Sequence, residues 1–208
     1  MRPILWKAMF VAGLLPALNP GLATAQQAVP YATGVLYETR EDINCNPGDS
    51  TLPNCADGAK GFGVRIADAM LTGAIEGPSP FSGPVTLDAS SILNQRSWMG
   101  PAHGKLTLED GVRATFSGHL NLSPAILANQ PLAPISGTWR GTRGTLQAGG
   151  EFEGVFLIPF QLQGHPELGW FYLELADGQP TGGVTPLLPS EFSASGLPLV
   201  KLVVTFFN

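Results

Sequence analysis

Ile135–Phe160 reads ISGTWRGTRGTLQAGGEFEGVFLIPF. Twice in it an aromatic stands two residues from a glycine on each side: Gly137, Trp139 and Gly141, then Gly150, Phe152 and Gly154. The earlier segment RATFSGHL repeats the idea with Ala114, Phe116 and Gly118. Side chains on a strand alternate between two faces, so a period of two puts each aromatic and its small neighbours on one face. Glycine inside a strand lets it coil sharply, and an aromatic from the next strand can lie over the bare backbone. These segments are read as glycine-flanked strands.

The composition around them agrees. Glycine (26) and proline (19) are abundant, charged residues are only 13%, and short β-branched and aromatic runs recur between turn residues. That is the habit of an all-β chain. Gly34–Thr39 reads as the first strand, followed by a loop from Arg40 to about Lys60. Gly61–Ile66, Ala69–Glu76 and Phe81–Ala89 read as the next strands. Ser90–His103 has no clean period and is expected to be a loop with room for one short strand. In GKLTLED and RATFSGHLNL the alternation is clean: Leu106, Leu108, Ala114, Phe116, Leu120 and Leu122 are dry, while Lys105, Thr107, Arg113, Thr115 and His119 are wet. Asp110-Gly111 between the two predicts a hairpin. A connection with one helical turn follows at Ser123–Pro134, then strands at Ile135–Arg143 and Glu151–Leu162.

Val155–Ile158, Trp170–Ala176 and Leu199–Phe207 are apolar on both faces, so they should be covered on both sides. Asp177–Ser195 reads as a linker with a helical turn near Ser190–Phe192. About ten strands at roughly ten-residue spacing predict a single-domain antiparallel β-barrel or β-sandwich.

The N-terminus has the order of a secretory signal: Arg2 and Lys7, then AMFVAGLLPAL, then Ala23-Thr24-Ala25. Cleavage after Ala25 would leave a domain at 26–208. The apolar run is shorter than the roughly 20 residues of a membrane-spanning helix, and no later run reaches that length. The formal net charge of −5 makes a poor counter-ion for phosphate and disfavours nucleic acid.

Cys45 and Cys55, in an exported chain, predict one disulfide stapling the loop at 40–60. Asp42–Asp49 carries alternating oxygen groups as calcium loops do, but Pro47 and Pro53 stand where glycine and a bidentate glutamate are expected. No metal or cofactor is assigned. His103, His119 and His165 are not at ligand spacing, and no Gly-x-Ser-x-Gly, Ser-x-x-Lys or His-Glu-x-x-His motif occurs. Glu151 and Glu153 share one strand face and read as solvated.

Trp139, Phe152, Trp170, Tyr172 and Glu174 are the candidate ligand-binding residues. Glu174 lies on the face of Trp170 and Tyr172 in an otherwise apolar strand. A carboxylate there must find a partner or shift its pKa. Lys201, equally isolated, is a candidate partner; the other reading is an edge position with both groups in water.

ISGTW…GGEFEGVF resembles the Gly-x-Trp start of lipocalins and the strands of avidin-type barrels. Gly-x-aromatic-x-Gly strands also resemble allene-oxide-cyclase-like and dirigent-like barrels. The resemblance covers about 20 residues, implies a small barrel, and assigns no residue a role. The expected function is an exported non-catalytic β-domain that binds a small apolar or carbohydrate ligand or serves the cell envelope. Two alternatives stand beside it: a small-barrel cyclase or isomerase using Glu174 or His119, and an outer-membrane β-barrel.

Overall fold

The computed structural model describes residues 30–44, 63–94, 96–176 and 179–208; for 40–44, 63–65 and 67 it describes the backbone alone. Eight strands close a barrel: β1 (Pro30–Asn44), β2 (Gly63–Glu76), β3 (Gly83–Asn94), β4 (Met99–Leu108), β5 (Arg113–Asn121), β6 (Leu132–Arg143), β7 (Leu146–Leu157) and β11 (Lys201–Phe207). Neighbours from β1 to β7 pair antiparallel in chain order, and β11 fills the gap between β7 and β1. Between β7 and β11, the strands β8 (Phe160–Gln161), β9 (Trp170–Ala176) and β10 (Gln179–Pro186) form a separate three-stranded sheet. The described strands thus number eleven, and of the two predicted architectures the barrel is the one formed. The single α-helix among the described residues is one short turn, α1 (Ser123–Leu127), and 3-10 turns stand at Pro166–Leu168 and at Pro189–Glu191, where a helical turn was expected.

The inward face follows the alternation. Leu71, Leu87, Leu106, Ala114, Leu120, Ile135, Trp139 and Phe152 are buried in one continuous core. Lys105, Arg113, Thr115, Glu151 and Glu153 are exposed on the outside. An apolar lumen with a charged exterior reverses what a lipid-facing barrel requires. The glycines also do what their spacing predicts. Phe116 covers Gly104 from the adjacent strand, and a Cβ placed there would overlap the ring. Phe152 of β7 reaches past Gly137 of β6 to Gly118 of β5, where an added Cβ would stand 2.9 Å from its ring.

Four readings need correction. From Gly63 on, the two strands expected up to Ile66 and from Ala69 to Glu76 are one, β2, broken by a register slip between Ile66 and Ala69. Asp68 sits in the slip at φ +52°, a bulge in which one extra residue interrupts the ladder. Second, Ser90–His103 is mostly strand rather than a loop with one short strand. It contains the end of β3, a turn, and the start of β4. Its period was hidden because Ser91 and Ala102 face in while Ile92 and Met99 face out, which inverts the hydropathy signal. Third, β10 occupies much of the expected linker. It is an edge strand with no buried residue and two prolines, so it carries no apolar pattern. Finally, β1 runs through Asn44, so the predicted loop at 40–60 begins as strand. Cys45, Cys55 and most of the calcium-like stretch lie outside the described residues, as does the 1–25 segment.

The hairpin at Asp110-Gly111 forms, with three loop residues rather than two. Leu108 N–H donates to Val112 O at 3.0 Å, Gly111 N–H donates to Leu108 O at 3.1 Å, and only Gly111 takes a positive φ. That is a turn followed by a left-handed residue, the usual three-residue solution.

The two-sided apolar segments of β7 and β11 are covered as expected, whereas β9 leaves Glu174 and Ala176 exposed. Leu157 and Val155 of β7, Val203 of β11 and Leu132 of β6 pack beneath Tyr172, Leu173 and Leu175 of β9. The small sheet therefore shields one sector of the barrel's outer wall. At one end of the barrel Tyr31, Phe81, Trp139 and Phe206 fill the interior with ring contacts of 5.4–6.0 Å between centroids. Trp139 Nε1–H donates to Phe207 O at 3.0 Å and anchors this plug to the end of β11.

Candidate functional site

Above the aromatic plug the barrel is hollow. A cavity of about 240 Å³ runs from Trp139, Phe152 and Phe206 toward the opposite end. Leucines 36, 71, 87 and 106 form part of its wall. Small inward residues make the room: Ala69, Ala89, Ala102 and Ala114 all border it. Where a larger side chain at these positions would fill the lumen, alanine leaves it open.

At the mouth stand Glu38, Ile66, Ile158 and Val200, with Ala125 and Ile126 of α1 beside them. Ile126 is half-exposed, as befits a residue at an opening. Two polar side chains on inward positions meet the cavity, Ser91 and Glu38. The Ser91 hydroxyl donates to Pro101 O at 2.9 Å, so it is satisfied within the wall. Ser90 and Thr115 border the cavity from positions that are exposed on the outside. Among the described residues lining the cavity, Glu38 is the one ionisable group.

Trp139 and Phe152, both expected to bind ligand, are brought together at the deep end. Trp170, Tyr172 and Glu174 are not: they belong to β9, outside the barrel. Tyr172 is buried under its own sheet and donates to Leu199 O at 2.6 Å. Glu174 is exposed and accepts from Thr185 Oγ1 at 3.3 Å. His119 is exposed on the outer wall, and His165 sits in a turn with Nδ1 3.0 Å from Glu167 Oε1.

Lys201 does hold a buried carboxylate, but it is Glu191, in the segment read as linker. Lys201 Nζ lies 3.1 Å from Glu191 Oε1, which also accepts from the Tyr37 hydroxyl at 2.9 Å. Glu191 Oε2 accepts from Leu188 N–H at 2.8 Å. The ammonium rests 5.1 Å from the centroid of the Tyr172 ring and 5.6 Å from that of Tyr37. Burial pushes the Glu191 carboxyl up, but the hydrogen bonds from Leu188, Lys201 and Tyr37 outweigh it and hold the pKa below the ordinary glutamate value. Burial, the hydrogen bond to Glu191 and its charge push Tyr37 up to about 12. Burial and the same carboxylate raise Tyr172. The cluster's acceptors are occupied by the protein's own donors. It clamps the 187–200 segment onto the barrel wall.

Glu38 and Ser91 were not picked out from the sequence. The signal for Glu38 was there: Gly34, Leu36 and Glu38 alternate onto one face. Ser91 carried no such signal, because a hydroxyl reads as outward in any period-two pattern.

Comparison of the chain with protein-family models, with curated proteins and with solved structures finds no match.

Proposed function

We propose that this chain is an exported, non-catalytic barrel that binds a small apolar ligand inside its lumen. One observation carries the reading: a cavity of about 240 Å³ whose inward wall is apolar but for two side chains. An engineered apolar cavity of about 150 Å³ stays dry and binds benzene. Pockets for drug-sized ligands start at about 300 Å³. The ligand therefore falls between these sizes.

The carbohydrate form of the expectation is disfavoured. A buried sugar hydroxyl without a partner costs about 1–3 kcal/mol, and the wall offers few partners. Neither Glu174 nor His119, the groups that the cyclase or isomerase reading needs, faces the lumen. Export rests on the N-terminal pattern of Arg2, Lys7 and Ala23-Thr24-Ala25.

The test is calorimetric titration with n-octanol. Burying an octyl chain is worth about 6 kcal/mol at about 0.8 kcal/mol per methylene, which corresponds to a Kd of tens of micromolar. Ala102→Phe should weaken binding by about tenfold or more while the far-UV circular dichroism is kept, because the new ring occupies the lumen. Wild-type protein that takes up no octanol, or an Ala102→Phe variant that binds it equally well, would overturn the proposal.

A further inference from the structure

The two sides of the cavity differ, and the difference names a ligand class, an inference that rests on the barrel being a ligand binder. We propose that the ligand carries a flat aromatic ring with a short arm. The ring lies in the lumen against the barrel's own aromatic side chains, and the arm is directed to the mouth.

Among the described residues lining the cavity, the aromatic ones are Phe116, Trp139, Phe152, Phe156 and Phe206. All of them stand on β5, β6, β7 and β11, which are consecutive around the barrel. The other half, β1 to β4, contributes no aromatic to the lining. The register sharpens the contrast, because residues paired across neighbouring strands lie side by side on one face. One inward row runs Ala69, Ala89, Gly104, Phe116, Trp139 across β2 to β6. The next runs Ser91, Ala102, Gly118, Gly137, Phe152, Phe206 across β3 to β7 and onto β11. Each row begins with hydrogen, methyl or hydroxymethyl side chains and ends with rings. The small end leaves the room, and the aromatic end bounds it.

The aromatic wall is arranged as such rings prefer. Phe116 and Phe152 meet at 79° with centroids 5.6 Å apart, and Trp139 and Phe206 at 72° and 5.4 Å. Rings set nearly at right angles present electron-poor edges beside electron-rich faces. A ligand ring placed among them continues the same pattern of edge on face. A saturated ring or an alkyl chain lacks that charge distribution and gains from its buried area alone.

The volume sets the size. About 150 Å³ accommodates benzene, and the cavity holds about 240 Å³. The space left over takes about three more groups at about 30 Å³ each, so a single ring with an arm of about that length fills the lumen.

The experiment uses three alcohols with the same carbon count: 2-phenylethanol, 2-cyclohexylethanol and n-octanol. Each is titrated into the full chain and followed by the protein's chemical shifts. Each affinity is divided by the probe's own partition from water into cyclohexane, which removes the difference in hydrophobicity. On this scale wild type should favour 2-phenylethanol over 2-cyclohexylethanol by about fivefold or more, the worth of about one aromatic pair. In Phe116→Leu/Phe156→Leu the ratio should fall to about twofold or less, because the phenyl probe loses its ring contacts. Phe156→Leu alone, which alters one half-buried ring near the end of β7, should remove part of the preference. Ala102→Phe should weaken all three probes together, which places them in the lumen. A corrected ratio near one in wild type while n-octanol binds, or a ratio that both leucine variants leave unchanged, would overturn the aromatic class and leave lumen binding standing. Failure of all three to bind would overturn the binder reading itself.

Discussion

Replacing Glu191 probes the clamp between the 187–200 segment and the barrel. In Glu191→Ala, the Lys201 ammonium, the Tyr37 hydroxyl and the Leu188 N–H lose their shared acceptor. Breaking a buried ion pair by removing one partner costs about 3–5 kcal/mol. The Glu191 side chain is 5% exposed, but that of Lys201 is 23% exposed, so part of the orphaned charge is returned to water. The expected loss is about 2–4 kcal/mol, or about 5–15 °C in Tm for a chain of this size. Glu191→Gln keeps the shape and one acceptor and should cost less, about 1.5–3 kcal/mol, for the loss of charge.

Acid separates the charge from the shape. The folded-state pKa of Glu191 lies below its ordinary value. Its contribution is therefore complete above the ordinary glutamate range and is lost as pH falls through the lowered folded value. Tyr37, pushed up to about 12, remains a donor throughout this range. The gap between wild type and Glu191→Gln should thus be widest at neutral pH and should close in acid below that range. Urea unfolding of both proteins across pH 3–7 measures it, with an unchanged m value showing that the same surface is exposed. A Glu191→Ala variant within about 0.5 kcal/mol of wild type, the spread of an ordinary surface change, would refute the clamp. So would a wild-type to Glu191→Gln gap that does not vary with pH.

Gly104→Ala should cost about 1–3 kcal/mol in the same unfolding assay, because the new methyl meets the Phe116 ring and Asp88 O at a distance no packed carbon tolerates. Combining it with Phe116→Leu, which withdraws the ring, should recover part of the loss; no recovery would mean that the backbone contact alone decides it. Material recovered from the medium or periplasm of an expression host should begin at Gln26 by mass spectrometry. Its two cysteines should resist alkylation until reduced, whereas retention of Met1 or two freely reactive thiols would remove the export and disulfide proposals.

Much of the barrel was legible in its local patterns. The dry and wet faces of β4 and β5 follow from alternation alone, because a strand turns each side chain opposite to the last. The glycine–aromatic spacing around Trp139 and Phe152 likewise announced close-packed strands, and both residues do face the lumen. The covering of Val155, Leu157 and Val203 could be foreseen, since a strand apolar on both faces must be shielded twice. What shields them could not be foreseen. The sheet of β8, β9 and β10 has one strand of two residues and one with no buried residue, too little for a period to show.

The amino-acid order by itself determined that this chain is extended and paired, and which side of most strands is dry, since those properties reside in neighbours two residues apart. The tertiary structure alone decided that β11 closes the ring onto β1, that alanines from four strands border one cavity, and that Lys201 holds Glu191 rather than Glu174. Each of these depends on groups brought together across the barrel, where separation along the chain says nothing about distance. Trp170, Tyr172 and Glu174 show the difference: their pattern identified a strand correctly, but the strand lies on the outside of the wall whose inside holds the cavity.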